Sequence, residues 1–218
     1  MGLSCTCPIT TLPTLENVDC PIDFDQVVRL GLTLSKATPD FTATVGEEIT
    51  NETAWTTKLA SATETKLQLT PALANLVIPS SEGAFIGGND NSTVDDMRYY
   101  VGEDNITITA EIHSSPQSAI LAMDELSCLS DATLGGSRLT MFPMTRQIRG
   151  KSYVLGVAGV TAGDYSGIPI YNFRVSTVGA EGYNSKNKYM VSFDVKANDM
   201  RDFVATQVDF SPFALANV

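Results

Sequence analysis

The chain of 218 residues carries 14 Lys and Arg against 25 Asp and Glu, a formal net charge of −11. Apolar residues make up 43% and charged residues 18%, which suits a packed core and excludes a disordered, solvating chain. The acidic balance, the single histidine and the lack of any apolar run near the roughly 20 residues of a membrane-spanning helix disfavour a basic nucleic-acid module, most metalloenzymes and a membrane helix.

Residues 1–23 contain Pro8, Pro13 and Pro21 and no hydrophobic period, so they read as an extended N-terminal arm. Residues 24–218 read as a single β-sandwich domain. The start lacks the basic and apolar stretches of a secretory signal, and Gly2 with Thr6 fits the myristoylation pattern, a short match of low specificity. Without a signal, the glycosylation triplets at Asn51, Asn91 and Asn105 read as chance. The spacing of Cys5, Cys7, Cys20 and Cys128 matches no zinc site. These cysteines read as free thiols in a reducing cytoplasm, with a disulfide from Cys20 to Cys5 or Cys7 as the alternative.

From Asp25 the pattern changes. Val28, Leu30, Leu32 and Leu34 alternate with Val27, Arg29, Gly31 and Thr33, which predicts a half-buried strand. Residues 36–53 read as a loop. Ala54 to Ala62 reads as one or two helical turns, with Trp55 and Leu59 on one side and Trp55 as a core anchor. Two short strands are expected at Leu67–Leu69 and Leu73–Ile78. Residues 79–96 are rich in turn formers and acids, and predict a solvated loop. Asn89, Asp90 and Asn91 lack the further ligand spacing of a calcium loop. Met97–Val101 and Ile106–Ile112 are predicted to pair as a hairpin around Gly102–Asn105, with Ile106, Ile108, Ala110 and Ile112 on one face.

Ser114 and Gln117 have capping-box spacing, with Pro116 in the first turn, which predicts a helix over about 115–129. Ile120, Met123 and Leu126 form its inner stripe. Gly135-Gly136 closes the following turn. Later strands are expected at Leu139–Met144, Tyr153–Val157, Ile168–Val175, Lys188–Lys196 and Phe203–Phe210. Ile170, Asn172, Arg174 and Ser176 alternate with Tyr171, Phe173 and Val175, and Tyr189, Val191, Phe193 and Val195 alternate with polar neighbours. Gly179–Asn187 links these two strands as a long hairpin. The fold class is mainly β: a β-sandwich or partly closed barrel with one packed α-helix.

No catalytic, metal or cofactor constellation emerges, and the chain does not read as an enzyme. His113 is the sole histidine and lies where a strand gives way to a helix, a position for a hydrogen-bonded structural residue. Without a second histidine, serine and cysteine nucleophile arrangements would all rest on it. Glu47-Glu48 and Asp95-Asp96 are adjacent, so in a strand they would point to opposite faces. Arg146, Arg149 and Lys151 make a small basic cluster, suited to an acidic surface on a neighbouring copy.

The order of segments carries a resemblance. An N-terminal arm precedes the Asp23-Phe24-Asp25-Gln26-Val27-Val28-Arg29 strand, the Ala54-Trp55 turn and the Gly87-Gly88-Asn89-Asp90-Asn91-Ser92-Thr93 loop. The Thr107–Ile112 strand then leads into a Ser-Pro helix and late hairpins. This resembles virion structural proteins of tailed phages of Bacteroidota, and within them is most similar to the tail tube (major tail) protein. The cysteine-rich start departs from that pattern.

The resemblance implies a tail-tube-like sandwich that stacks as rings, usually six-fold, around a channel through which DNA passes without specific binding. It implies self-contacts and other virion proteins as partners. It also implies no cofactor, no membrane, synthesis in the host cytoplasm and residence in the virion. The acidic charge suits a lumen that does not hold phosphates. Subunit-interface candidates on this reading are Phe173, Val175, Tyr183, Tyr189, Phe193, Phe85, Arg146 and Arg149. Acidic surface candidates are Glu82, Asp90, Asp95 and Asp96. A capsid decoration protein, a head–tail connector, or a soluble binding β-sandwich using Trp55, Tyr99 and Tyr100 are the alternatives.

Overall fold

The computed structural model describes residues 26–80, 83–86, 99–103, 105–113, 115–130, 138–178, 187–199 and 203–216. In chain order these form β1 (Val27–Leu34), α1 (Glu52–Leu59), β2 (Leu67–Leu69), β3 (Leu73–Val77), β4 (Gly83–Ile86), β5 (Tyr99–Glu103) and β6 (Ile106–His113). Then follow α2 (Gln117–Glu125), β7 (Leu139–Thr145), β8 (Ser152–Ala158), β9 (Tyr165–Ser166), β10 (Ile168–Val178), β11 (Lys188–Val195) and β12 (Phe203–Val208). The N-terminal arm, with Cys5, Cys7 and Cys20, lies outside the described residues.

The protein is mainly β, as its alternating patterns predict. Ten strands join in one antiparallel sheet of order β12-β8-β7-β10-β11-β6-β3, with β1 and β2 added beside β7 and β9 beside β8. The sheet does not close into a barrel. β4 and β5 make a separate two-stranded sheet.

All seven residues of β7 are buried, because the strand has a core on each face. Leu139 and Met141 point into the larger core, with Leu30 and Leu32 of β1, Ile108 and Ile112 of β6, and Ile120 and Met123 of α2. Phe142 and Met144 point into a second core around Trp55, Phe41 and Phe210. One edge of β7 pairs with β1 along its length, and the other pairs first with β10 and then with β8. Pro143, which donates no backbone hydrogen bond, sits between the last β10 partner, Met141, and the first β8 partner, Met144.

The second core is aromatic. Trp55 is fully buried, and its Nε1 donates to the Ile49 carbonyl at 2.7 Å. Its ring lies 4.5 Å from Phe41 and meets Phe142 edge-on at 5.7 Å. Phe41 was part of the expected loop at 36–53. It is wholly buried because a lone bridge to Tyr165 pins that segment to the sheet.

Four local expectations are corrected. β5 pairs with β4, not with β6, which lies between β11 and β3. α2 begins at Gln117 with Pro116 as an N-cap that makes no side-chain cap, Ser114 of the expected capping box lies outside the described residues, and α2 ends in a 3-10 turn at Leu126–Ser130. β1 carries a bulge between Val27 and Arg29, so Val27 rather than Val28 joins Leu30 and Leu32 in the core. β10 bulges between Tyr171 and Arg174, with Asn172 at φ 52°, and the alternation expected there shifts by one residue.

Candidate assembly surfaces

β3 and β6 pair with Leu73 facing Ile112 and Val77 facing Thr109. Beyond them, Gly83 faces Glu103 and Ile86 faces Tyr99. Val77 to Gly83 is six steps forward, and Thr109 to Glu103 is six steps back. The two ladders therefore keep one register, and β4–β5 is the outer stretch of one long hairpin arm. An isolated two-stranded ribbon is marginally stable in water. This one carries Phe85, Tyr99 and Tyr100 more than half exposed, with Phe85 edge-on to Tyr100 at 5.7 Å. Gly83 lies beneath both rings, and a Cβ there would come within 3.0 Å of the Phe85 ring.

The facing ends of β10 and β11, Val178 and Lys188, lie at the opposite end. Within β10-β11-β6-β3, Ile106 faces Val195 at the end from which the arm departs. His113 faces Lys188 at the other end, where β10 connects to β11. The residues that connect β10 to β11, 179–186, lie outside the described residues.

The sequence candidates divide by burial. Phe173 and Phe193 are 0% and 1% exposed and stack on each other at 6.2 Å, so they belong to the protomer's own core and offer no side-chain surface to a second copy. The β10 bulge turns Phe173 inward. Val175 and Tyr189 are half-buried against the same core. Phe85, Arg146 and Arg149 are exposed. Tyr183, Glu82, Asp90, Asp95 and Asp96 lie outside the described residues. Trp55, named for a binding surface, is buried, whereas Tyr99 and Tyr100 are exposed.

Arg149 and Gly150 form the two-residue turn between β7 and β8. Both have positive φ, 54° and 81°, and Ile148 and Lys151 exchange two backbone hydrogen bonds around them. These are the marks of a type I′ hairpin turn. The turn displays Arg146, Arg149 and Lys151 to solvent, and among the described residues none of them has a carboxylate partner. β3 and β12 end the main path of the sheet. β3 is blunted by its own irregularity, with Asn75 at φ 51°. β12 pairs regularly through six residues, Phe203–Val208, and carries no charged side chain or proline.

The outer face of the sheet is polar. Glu111 is its hub: it pairs with Lys188 on β11, accepts from Asn75 Nδ2 at 2.8 Å and lies 3.4 Å from His113 Nε2. The Lys188 and Asn75 hydrogen bonds hold the Glu111 carboxyl below the usual carboxylate range. Asp194 accepts from Thr107 at 2.6 Å and from Asn172 at 2.8 Å. His113 is exposed, and its ring contacts Glu111 two residues earlier on the same strand. Among the described residues, no three His, Cys, Asp or Glu side chains cluster as metal ligands, and no helix is long and apolar enough to cross a membrane. Cys128 is free and exposed.

A groove of about 300 Å3 runs between β1–β2 and α2. Leu59, Leu67, Leu69, Met123 and Leu126 line it, with Arg29 and Lys66 as its cations and no acidic side chain. Arg29 Nη1 donates to the carbonyls of Pro212 and Leu215 at 2.9 Å each, while Nε is buried without a partner. Burial pushes its pKa below the ordinary arginine value. The sequence hid this site, because Arg29 sits in an alternating strand and reads as an ordinary outward residue.

Comparison with known protein families, with curated proteins and with solved structures finds no match to this chain.

Proposed function

We propose that this chain is a structural, self-assembling subunit, of the kind that stacks as rings into a virion tail tube. One observation carries the reading: an aromatic hairpin arm leaves one end of the sheet, and the edge strand β12 offers a regular, uncharged edge elsewhere on it. A ring or stack needs a heterologous contact, in which one patch meets a different patch on the next copy. The aromatic arm and the regular edge of β12 supply two unlike patches. Exposed aromatic rings on a thin ribbon lower their free energy by being covered. Arg146, Arg149 and Lys151, which have no carboxylate partner among the described residues, complement the acidic run from Glu82 to Asp104 of a neighbour. The role assigned to the chain is contact, with no catalytic step, and DNA passes an acidic lumen without specific binding.

Electron microscopy of the purified protein tests this. Tubes or stacked rings of uniform diameter support it. Discrete rings or trimers that never stack favour a connector or capsid decoration protein. A soluble binding module is the second reading, favoured by the Arg29 groove, and predicts monomers at every concentration.

A further inference from the structure

We infer that the groove between β1–β2 and α2 receives the acidic N-terminal segment of a neighbouring copy. The inference rests on the assembly reading above and names one contact within it. The groove has an apolar floor and two cations, and no carboxylate lines it. Arg29 is half-buried, and among the described residues its guanidinium meets two neutral carbonyls and the Phe213 ring, 5.5 Å away. A cation so placed, with its guanidinium partly desolvated, gains most from an anionic partner.

The chain supplies one. The segment preceding Gln26 contains Glu16, Asp19, Asp23 and Asp25 and no Lys or Arg, with Ile22 and Phe24 interleaved. Acids alternating with apolar residues match cations over an apolar floor. Its length of 25 residues is ample: even ten extended residues span about 33 Å, more than the width of a small domain. Its own strand β1 leads away from Arg29 toward Gln26, so seating in the same protomer requires a turn back along the chain. A neighbour's segment needs none.

Cys20 lies inside this acidic stretch and serves as the probe. Full-length protein with Cys5, Cys7 and Cys128 changed to Ser carries Ala119→Cys on the groove wall, or Ala122→Cys as a second variant should the first fold poorly. Mild oxidation and non-reducing electrophoresis then read the contact. Linked dimers and higher multimers are expected, and Asp19→Asn with Asp23→Asn lowers their yield about fivefold at low salt, the size of a partly exposed ion pair. A link within one chain, or a yield no higher than with Val160→Cys on a distant exposed turn, overturns the inference. Sedimentation of the same samples separates two failures. Assemblies without links refute the docking alone, and monomers throughout refute the assembly reading as well.

Discussion

The Phe173 amide donates to Ser130 Oγ at 2.8 Å, and that hydroxyl donates to the Ser127 carbonyl at 3.0 Å. The bulge of β10 removes the Phe173 amide from the ladder, and the turn after α2 satisfies it instead. A buried amide left unpaired costs about 1–3 kcal/mol. Ser130 is 0% exposed, so no water replaces it. Ser130→Ala is therefore expected to lower Tm by about 2–4 °C per kcal/mol lost in a chain of this length. Thermal unfolding measures this, and an unchanged Tm contradicts the role given to the bulge.

The type I′ turn places Arg149 at φ 54°, where a β-carbon is strained. Arg149→Asn is expected to stabilise the protein by about 0.5–1 kcal/mol, since asparagine tolerates this conformation. Gly150→Ala is expected to destabilise by at least that amount. Denaturant midpoints decide, and opposite signs for the two variants are the expected result.

Glu111 is held in its charged form by Lys188 and Asn75. A carboxyl lowered in the folded state contributes stability that is full above the unfolded value, about 4.3, and is lost as pH falls through the folded value. Glu111→Gln is expected to flatten the acid limb of the stability curve while leaving its shape near neutrality. Urea midpoints across the acid range check this, and an unchanged acid limb contradicts it.

How much of this was legible in the sequence depends on the regularity of each strand. Ile106, Ile108, Ala110 and Ile112 alternate without interruption, and all four are buried. The same holds for Val191, Phe193 and Val195. Both strands lie in regular ladders, where a period of two translates directly into a face. β1 and β10 were misread at single residues, because a bulge shifts which face every later side chain takes and leaves no mark in composition. β7 shows no alternation in burial because cores cover both of its faces.

The site was less legible. Phe173 and Phe193 read as interface residues on hydrophobicity alone, a property that core and interface share. Glycine and acidic residues suggested a turn after Val101, and so a hairpin with the next strand. The true partner of β5 lies before residues 87–98, and only the register across both ladders reveals the arm.

Phe85→Ser together with Tyr100→Ser tests the arm. Both side chains are more than half exposed, so folding stability is expected to change by no more than about 1 kcal/mol in total. Assembly is expected to fail or weaken strongly, which sedimentation velocity at matched concentrations reads. Assemblies of unchanged size and yield contradict a contact role for the arm.

The claim beneath these surfaces is that the protein works through contact with copies of itself. Electron microscopy of the full-length chain over a range of concentration and salt tests it most directly. The expected images are tubes or stacked rings of one diameter. Single protomers under every condition contradict it.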